Sequence, residues 1–210
     1  MLEIRHRRTG AVLMTVDAET LRGARLSGAH LPDADFSERD LDGCDLSNAD
    51  LRGANFYRAT MQGCNLHSAC LKNAELNEAN LQRADFTDAV LHQASFQQSK
   101  LCGALFRYSK MRECNLSGAD MTHVDASLAD MGDAILVNAI LTQADLRGAD
   151  LRNADMTQAN LVGAKLSNAK LSCAKMLHVL TDRTLSDAAR TARKPAAAAP
   201  AKGWWQFWKQ

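Results

Sequence analysis

The chain has 210 residues, of which 5% are aromatic, and all three tryptophans fall in the last seven positions. Large aromatic side chains usually supply much of a globular core, so this distribution argues against a conventional one. A net charge of +1 argues against a strongly basic nucleic-acid binder. The longest apolar run falls well short of the roughly 18 residues that a membrane-spanning helix needs. No apolar segment follows the basic N-terminus, so we expect no secretory signal and reduced cysteines.

Residues 1–20 are predicted to form a β-hairpin. Short β-like runs at residues 2–7 and 11–16 flank Thr9-Gly10, a dipeptide suited to a tight turn. We expect this hairpin to cover the first edge of the repeat structure that follows, because an open edge invites end-to-end association.

A five-residue repeat follows. Every fifth residue from Leu21 to Met176 gives 32 central positions, of which 20 are Leu, six are Met and five are Phe, with Ala126 the single exception. Two residues before the centre, 24 of the 32 positions are Ala, and one residue before it 16 are Asp or Asn. Two residues after the centre, 17 of the 32 are Gly, Asn or Asp, which tolerate tight turns.

Neither regular element places such a repeat on one face. A step of five residues advances about 140° net around an α-helix, so the central residues would spiral around it. On a β-strand, an odd step sends alternate centres to opposite faces. A chain that turns a corner once per repeat directs every centre inward. Four such sides make a coil of twenty residues, and successive coils would pair as parallel strands about 4.8 Å apart.

This pattern resembles the pentapeptide-repeat family, as in Ala49-Asp50-Leu51-Arg52-Gly53. The resemblance implies an all-β fold, a right-handed quadrilateral parallel β-helix of about eight coils over residues 21–178. At the strand spacing given above, eight coils would make a rod about 38 Å long.

Residues twenty apart are expected to stack. Glu19 and Arg39 lie two residues before a centre, at positions that small residues occupy elsewhere in the repeat. We predict that they form a partly buried structural ion pair. Val124 and Ala126 exchange the small and large slots of one repeat, which conserves volume. Stacking also predicts three Asp–Lys pairs and two phenylalanine columns. The pairs are Asp145–Lys165, Asp150–Lys170 and Asp155–Lys175, and the columns are Phe36, Phe56, Phe96 and Phe86, Phe106.

The C-terminal residues differ in composition. Residues 179–193 are predicted to include a short capping helix, with Ser186 as a candidate N-cap and Pro195 beyond its end. Residues 194–210 are predicted to be a disordered linker and an aromatic tail. The candidate attachment residues of the tail are Trp204, Trp205, Phe207 and Trp208.

Catalytic and metal-binding patterns are absent from the sequence. None of the six histidines stack at twenty-residue spacing, and no His or Cys pair shows zinc-motif spacing. Cys44 and Cys64 occupy interior small slots and are interpreted as core thiols. We therefore predict neither an enzyme nor a cofactor.

The candidate interface is Ile135, Val137 and Ile140, apolar residues at positions that should face outward. Charged residues offer further surfaces for partner recognition. Seven acids lie near the N-terminal end (Asp33, Asp35, Glu38, Asp40, Asp42, Asp45, Asp50), and four bases lie in the middle (Lys100, Arg107, Lys110, Arg112).

The sequence favours a cytoplasmic, non-enzymatic scaffold that binds a protein partner, with a homodimer left open. One alternative, implied by the resemblance, is a DNA mimic that binds gyrase and protects it from quinolones or toxins. The repeat block holds 19 acids and 16 bases, which is weak support for such mimicry. Another alternative is a peripheral membrane adaptor that attaches through the aromatic tail. No direct nucleic-acid binding is expected.

Overall fold

The computed structural model describes residues 1–182, in which a hairpin precedes a four-sided β-helix. Strand β1 (Leu2–His6) pairs antiparallel with β2 (Val12–Val16), as the runs 2–7 and 11–16 predict. On its other edge β1 pairs antiparallel with β3 (Ala34–Asp35). Strand β1 therefore lies where a preceding coil would be on that side, and its Ile4 is completely buried against the core.

Parallel bridges join each residue before a centre to the residue twenty positions later, in 28 pairs from Arg25–Asp45 to Asn160–Leu180. This spacing confirms the predicted twenty-residue coil. We number the coils 1 to 8, from residues 21–40 to residues 161–180. Sides 1 to 4 of coil 1 have Leu21, Leu26, Leu31 and Phe36 at their centres.

Every corner of the β-helix uses the left-handed backbone conformation. All 32 residues that lie two after a centre have φ between 53° and 72°, and 23 of them are not glycine. At the 31 corners from Leu21 to Leu171, the residue three after the centre donates its N–H to the central carbonyl, as Ala54 does to Leu51 at 3.0 Å. The closed turn and the ladder to the next coil together impose a conformation that most side chains disfavour.

Gly63→Ala is expected to lower the free energy of unfolding by about 1 kcal/mol, because alanine is strained at the φ of 62° found there. No atom lies within 4 Å of the added methyl group, so backbone strain alone determines the cost. Urea unfolding of this variant beside Gln62→Ala, an exposed neighbour without positive φ, checks the prediction. Equal midpoints for the two variants would contradict it.

The core is one continuous column of central and small residues. Phe36 stacks on Phe56 with ring centroids 4.9 Å apart, and Phe86 stacks on Phe106 at 4.7 Å. Phe96 meets Phe86 and Phe106 edge to face across the coil. Stacking of residues twenty apart does not predict this contact between different sides. Val124 and Ala126 are both buried, which confirms the exchange of slots.

The Glu19–Arg39 ion pair is not formed. Glu19 is exposed, Arg39 is half-buried, and no ion pair within residues 1–182 includes either residue. The ladder explains why: Arg39 accepts a hydrogen bond from Thr60, whereas no backbone bond joins Asp40 to Glu19. The first coil begins at Leu21, so Glu19 precedes the stack.

The predicted C-terminal helix does not begin at residue 179. Residues 179 and 180 continue the last coil, where Leu180 exchanges backbone hydrogen bonds with Ala159 and Leu161 at 2.9 and 2.8 Å. Residues 183–193, the remainder of that helix prediction, lie outside the described residues, as does the predicted tail.

Candidate interaction surface

The candidate interface lies on sides 4 and 1 near coil 6. Ile135 and Val137 flank the central Leu136 on side 4, and Ile140 begins side 1 after the next corner. The exposed fractions of Ile135 and Ile140 are 40% and 42%, and Val137 is half-buried. Although the ladder fixes their backbone, these side chains are left partly uncovered. We call these three residues the coil-6 patch.

Many outward positions near the coil-6 patch are uncharged, although the bridge partners of Ile135 and Ile140 in the neighbouring coils include the carboxylates Asp155 and Asp120. The outward residues on side 4 of coils 4 and 5 are Ser95, Gln97, Gln98, Asn115, Ser117 and Gly118. On side 1, coils 7 and 8 present Thr142, Gln143, Asn160, Val162 and Gly163. Depletion of charge around exposed apolar groups is typical of the centre of an interface.

Two carboxylates border the patch, and each is held by its own coil. Asp120 accepts hydrogen bonds from the backbone N–H and hydroxyl of Thr122, at 3.1 and 2.6 Å. Asp155 is bound in the same way by Thr157, and Lys175 approaches it at 3.2 Å. The hydrogen bonds from Thr157, aided by Lys175, hold the pKa of Asp155 below its usual value.

Two further exposed leucines, Leu177 and Leu180, were not identified from the sequence. Leu177 lies in the column of Val137, and Leu180 lies in the column of Ile140, each two coils further on. Their exposed fractions are 61% and 60%. The forty-residue spacing from Val137 and Ile140 was the signal that could have found them. Thr157 and Asn160 separate these leucines from the patch.

The predicted Asp–Lys pairs are present. The Nζ–Oδ2 distances are 4.0, 3.7 and 3.2 Å for Lys165–Asp145, Lys170–Asp150 and Lys175–Asp155. Sequence reasoning missed a shorter-range partner: Arg147 chelates Asp145 within the same repeat, with Nη2–Oδ2 at 2.7 Å. The Arg147 guanidinium holds the pKa of Asp145 below its usual value.

Neither of the two predicted charge clusters forms one uniformly charged surface in the structure. Arg22, one coil earlier, binds Asp42 at 2.9 Å, and Arg52 chelates Asp50 at 2.7 Å, so the acidic end is partly neutralised. Lys100 begins side 1, whereas Lys110 and Arg112 lie on the opposite side 3. The four bases therefore do not form one surface.

The core cysteines have no accessible thiolate. Cys44, Cys64 and Cys114 are buried, and burial raises the pKa of each thiol to about 12. Their Sγ atoms donate to backbone carbonyls, as Cys64 does to Leu41 at 2.8 Å. Across residues 1–182, no group of three or more His, Cys, Asp or Glu side chains converges as metal ligands would. In the same span no helix has the length and apolarity to cross a membrane.

Comparison with known proteins identifies the repeat. The family described as Pentapeptide repeats (8 copies) matches six overlapping segments, residues 20–56, 30–67, 40–77, 69–107, 103–138 and 134–172. None of the curated proteins matches the chain.

Solved structures have the same fold. HetL, a pentapeptide repeat protein involved in heterocyst differentiation regulation from the cyanobacterium Nostoc, is 29% identical with a TM-score of 0.54, and the match covers 75% of this chain and 81% of HetL. Full-length QnrB1, a plasmid-mediated fluoroquinolone resistance protein, is 17% identical with a TM-score of 0.50, over 81% of this chain and 93% of QnrB1. These structures support the predicted right-handed β-helix. The chain belongs to the pentapeptide-repeat family.

Proposed function

We propose that this protein is a non-enzymatic scaffold, a rigid β-helical rod that binds a protein partner through the coil-6 patch. The observation that carries the proposal is the pair Ile135 and Ile140, exposed isoleucines that replace the polar residue before the centre. The charged groups beside them, Asp120 and Asp155, are each held by hydrogen bonds from a threonine of their own coil. Neither isoleucine serves the core, because both point away from it.

Binding at the patch would have a modest but useful free energy. Covering the exposed part of each isoleucine contributes on the order of 1 kcal/mol, at about 25 cal/mol per Å² of apolar surface. The coils hold the patch rigid before binding, so little conformational entropy is lost on association. Leu177 and Leu180 lie in the same two columns towards the C-terminal end but are separated from the patch by Thr157 and Asn160.

The test replaces Ile135, Val137 and Ile140 together by Asn, a residue already common on this surface. We expect this variant to keep its thermal unfolding temperature but to lose self-association in sedimentation, or capture of the partner that full-length protein retains. Leu105→Asn, Tyr108→Asn and Leu128→Asn, combined in one chain, form the matched control, since they remove three exposed apolar residues elsewhere. Equal behaviour of the two variants would contradict the proposal.

The alternatives have less support. Mimicry of DNA requires strong negative potential along the rod, yet residues 21–178 hold 19 acids and 16 bases, and several acids are paired. The likeness to QnrB1 carries the fold alone. Attachment to a membrane through Trp204, Trp205, Phe207 and Trp208 remains a proposal from composition, since tryptophan favours the membrane–water interface.

A further inference from the structure

The N-terminal hairpin covers part of one edge of the β-helix and creates another edge. In its three-stranded sheet the order is β2-β1-β3, so β1 has a partner on both edges, whereas β2 has a partner on one edge alone. No strand within residues 1–182 pairs with the outer edge of β2. An unpaired edge presents backbone N–H and C=O groups with which a strand of another chain can pair. We call this outer edge the β2 edge.

The backbone hydrogen bonds of β1 show which groups the β2 edge presents. His6 donates its N–H to the second arm of the hairpin at 2.8 Å, and Arg7 donates its N–H to the Asp33 carbonyl in coil 1 at 2.8 Å. Even-numbered residues of β1 therefore face β2, and odd-numbered residues face β3. Glu3 is odd-numbered and lies directly opposite Thr15, so these two residues exchange no backbone hydrogen bonds. The N–H and C=O of Thr15 consequently point outward at the β2 edge.

The sequence of β2 does little to protect this edge. Soluble proteins usually place lysine, proline or a bulge on an exposed edge strand. Residues 11–16 contain no charged residue, proline or glycine, and five of the six are apolar. The bulge at Leu13 leaves residues 14–16 in regular register with β1. Val12 is 45% exposed and Thr15 is exposed, so the β2 edge combines unpaired backbone groups with accessible side chains.

The residues that flank β2 carry opposite charges at its two ends. Arg8 lies in the hairpin turn before the strand, and Asp17 and Glu19 follow the strand. All three are exposed, and none of them forms an ion pair with another residue in the described part of the chain. A second β2 that runs antiparallel, with Met14 opposite Met14, brings Arg8 of each copy beside Glu19 of the partner subunit. The flanking charges of two copies are therefore complementary.

We propose that the β2 edge binds the β2 edge of a second copy of this chain, with the two strands antiparallel about Met14. Backbone hydrogen bonds through Thr15 would join the copies, and Arg8 would pair with Glu19 of the partner subunit at both ends of the contact. Backbone bonds alone would accept any extended peptide, whereas the matched charges select a second copy. The rods would meet at their N-terminal ends, and the coil-6 patch would stay exposed for a different partner.

Sedimentation velocity of the full-length protein over a wide range of concentration measures this dimer. We expect Thr15→Pro to raise the dissociation constant about tenfold or more, because each copy loses an N–H donor and gains a ring on the edge. The matched control is Thr15→Ala, which removes the same side chain but keeps the N–H, and is expected to dimerise within about twofold of wild type. Proline is tolerated on edge strands, so we expect all three proteins to have the same thermal unfolding temperature.

An exchange of charges tests the register without proline. Arg8→Glu is expected to weaken dimerisation about tenfold at low salt, since both copies then bring like charges together. Addition of Glu19→Arg to this variant is expected to restore the dimer to within about threefold of wild type. Both residues are exposed and unpaired within residues 1–182, so neither change removes an ion pair of the monomer.

A wild type that stays monomeric at every concentration would overturn the proposal, and so would equal dimerisation of Thr15→Pro and Thr15→Ala. Failure of Glu19→Arg to restore the dimer of Arg8→Glu would overturn it as well. The triple Asn variant of the coil-6 patch is expected to keep this dimer and to lose only association beyond it or capture of the partner. Loss of the dimer in that variant, but not in Thr15→Pro, would assign self-association to the patch, so the two proposals fail separately.

Discussion

Phe106→Ala is expected to lower the free energy of unfolding by about 3–5 kcal/mol. Phe106 is completely buried, stacks on Phe86 with centroids 4.7 Å apart, and meets the edge of Phe96 at 6.0 Å. Alanine would leave a cavity between coils 4 and 6, and the hydrogen-bonded ladders on all four sides prevent those coils from collapsing into it. Urea unfolding followed by circular dichroism measures the change.

Two controls separate this packing effect from others. Phe106→Leu introduces the commonest central residue and is expected to cost clearly less than Phe106→Ala, because most of the volume remains. Tyr108→Ala, two residues away but exposed at its corner, is expected to stay within about 0.5 kcal/mol of wild type. A cost for Phe106→Ala similar to that of Tyr108→Ala would show that the aromatic cluster does not stabilise the rod.

The fold was predictable because a five-residue period admits few backbone solutions. One inward residue per repeat, a small residue two before it and a corner two after it together define a coil of four sides. The bridge from Asp145 to Lys165 and the burial of Val124 and Ala126 follow from that geometry alone. The corners were predictable in position but not in composition, since Leu128 and Tyr108 adopt positive φ where Gly or Asn would be expected.

The errors concern the ends of the repeat. Stacking at twenty-residue spacing assumes that residue 19 lies in a coil, but Glu19 precedes the first coil at Leu21, and no backbone hydrogen bond joins it to Asp40. At the other end, Leu180 still pairs with coil 7 although the five-residue pattern has already weakened. Sequence periodicity describes the interior of a solenoid better than its termini, where other segments replace the missing neighbours.

The surfaces were predictable only in part. The coil-6 patch was visible because apolar residues break the polar rule within six consecutive positions. The contacts of Arg7 with Gly53 and Glu75 depend on the pairing of β1 with β3, which no repeat pattern encodes. Long-range pairing of a non-repeating segment requires the structure.

Alkaline pH is expected to destabilise the protein through its three buried thiols. Burial raises the pKa of Cys44, Cys64 and Cys114 to about 12 from a usual value of 9.0. Above the usual value the unfolded chain loses these protons while the folded chain retains them. The contribution of the protonated thiols to the free energy of unfolding is therefore fully present below about pH 9. It is lost as the pH rises towards 12, by about 1.4 kcal/mol per pH unit for each thiol.

The variant with Cys44→Ala, Cys64→Ala and Cys114→Ala isolates this effect, because Ala is the usual residue in these small slots. At pH 8 we expect it to be less stable than wild type by about 1 kcal/mol per site, for the lost sulfur contacts. Near pH 10.5 the difference in stability between the two proteins is expected to shrink or change sign. The reason is that ionisation of the three thiols stabilises the unfolded state of wild type alone. Urea midpoints at the two pH values measure the difference, and Cys173→Ala, an exposed thiol, is the control. Parallel loss of stability in wild type and the triple variant would mean that lysine or tyrosine titration, and not the buried thiols, governs the alkaline limit.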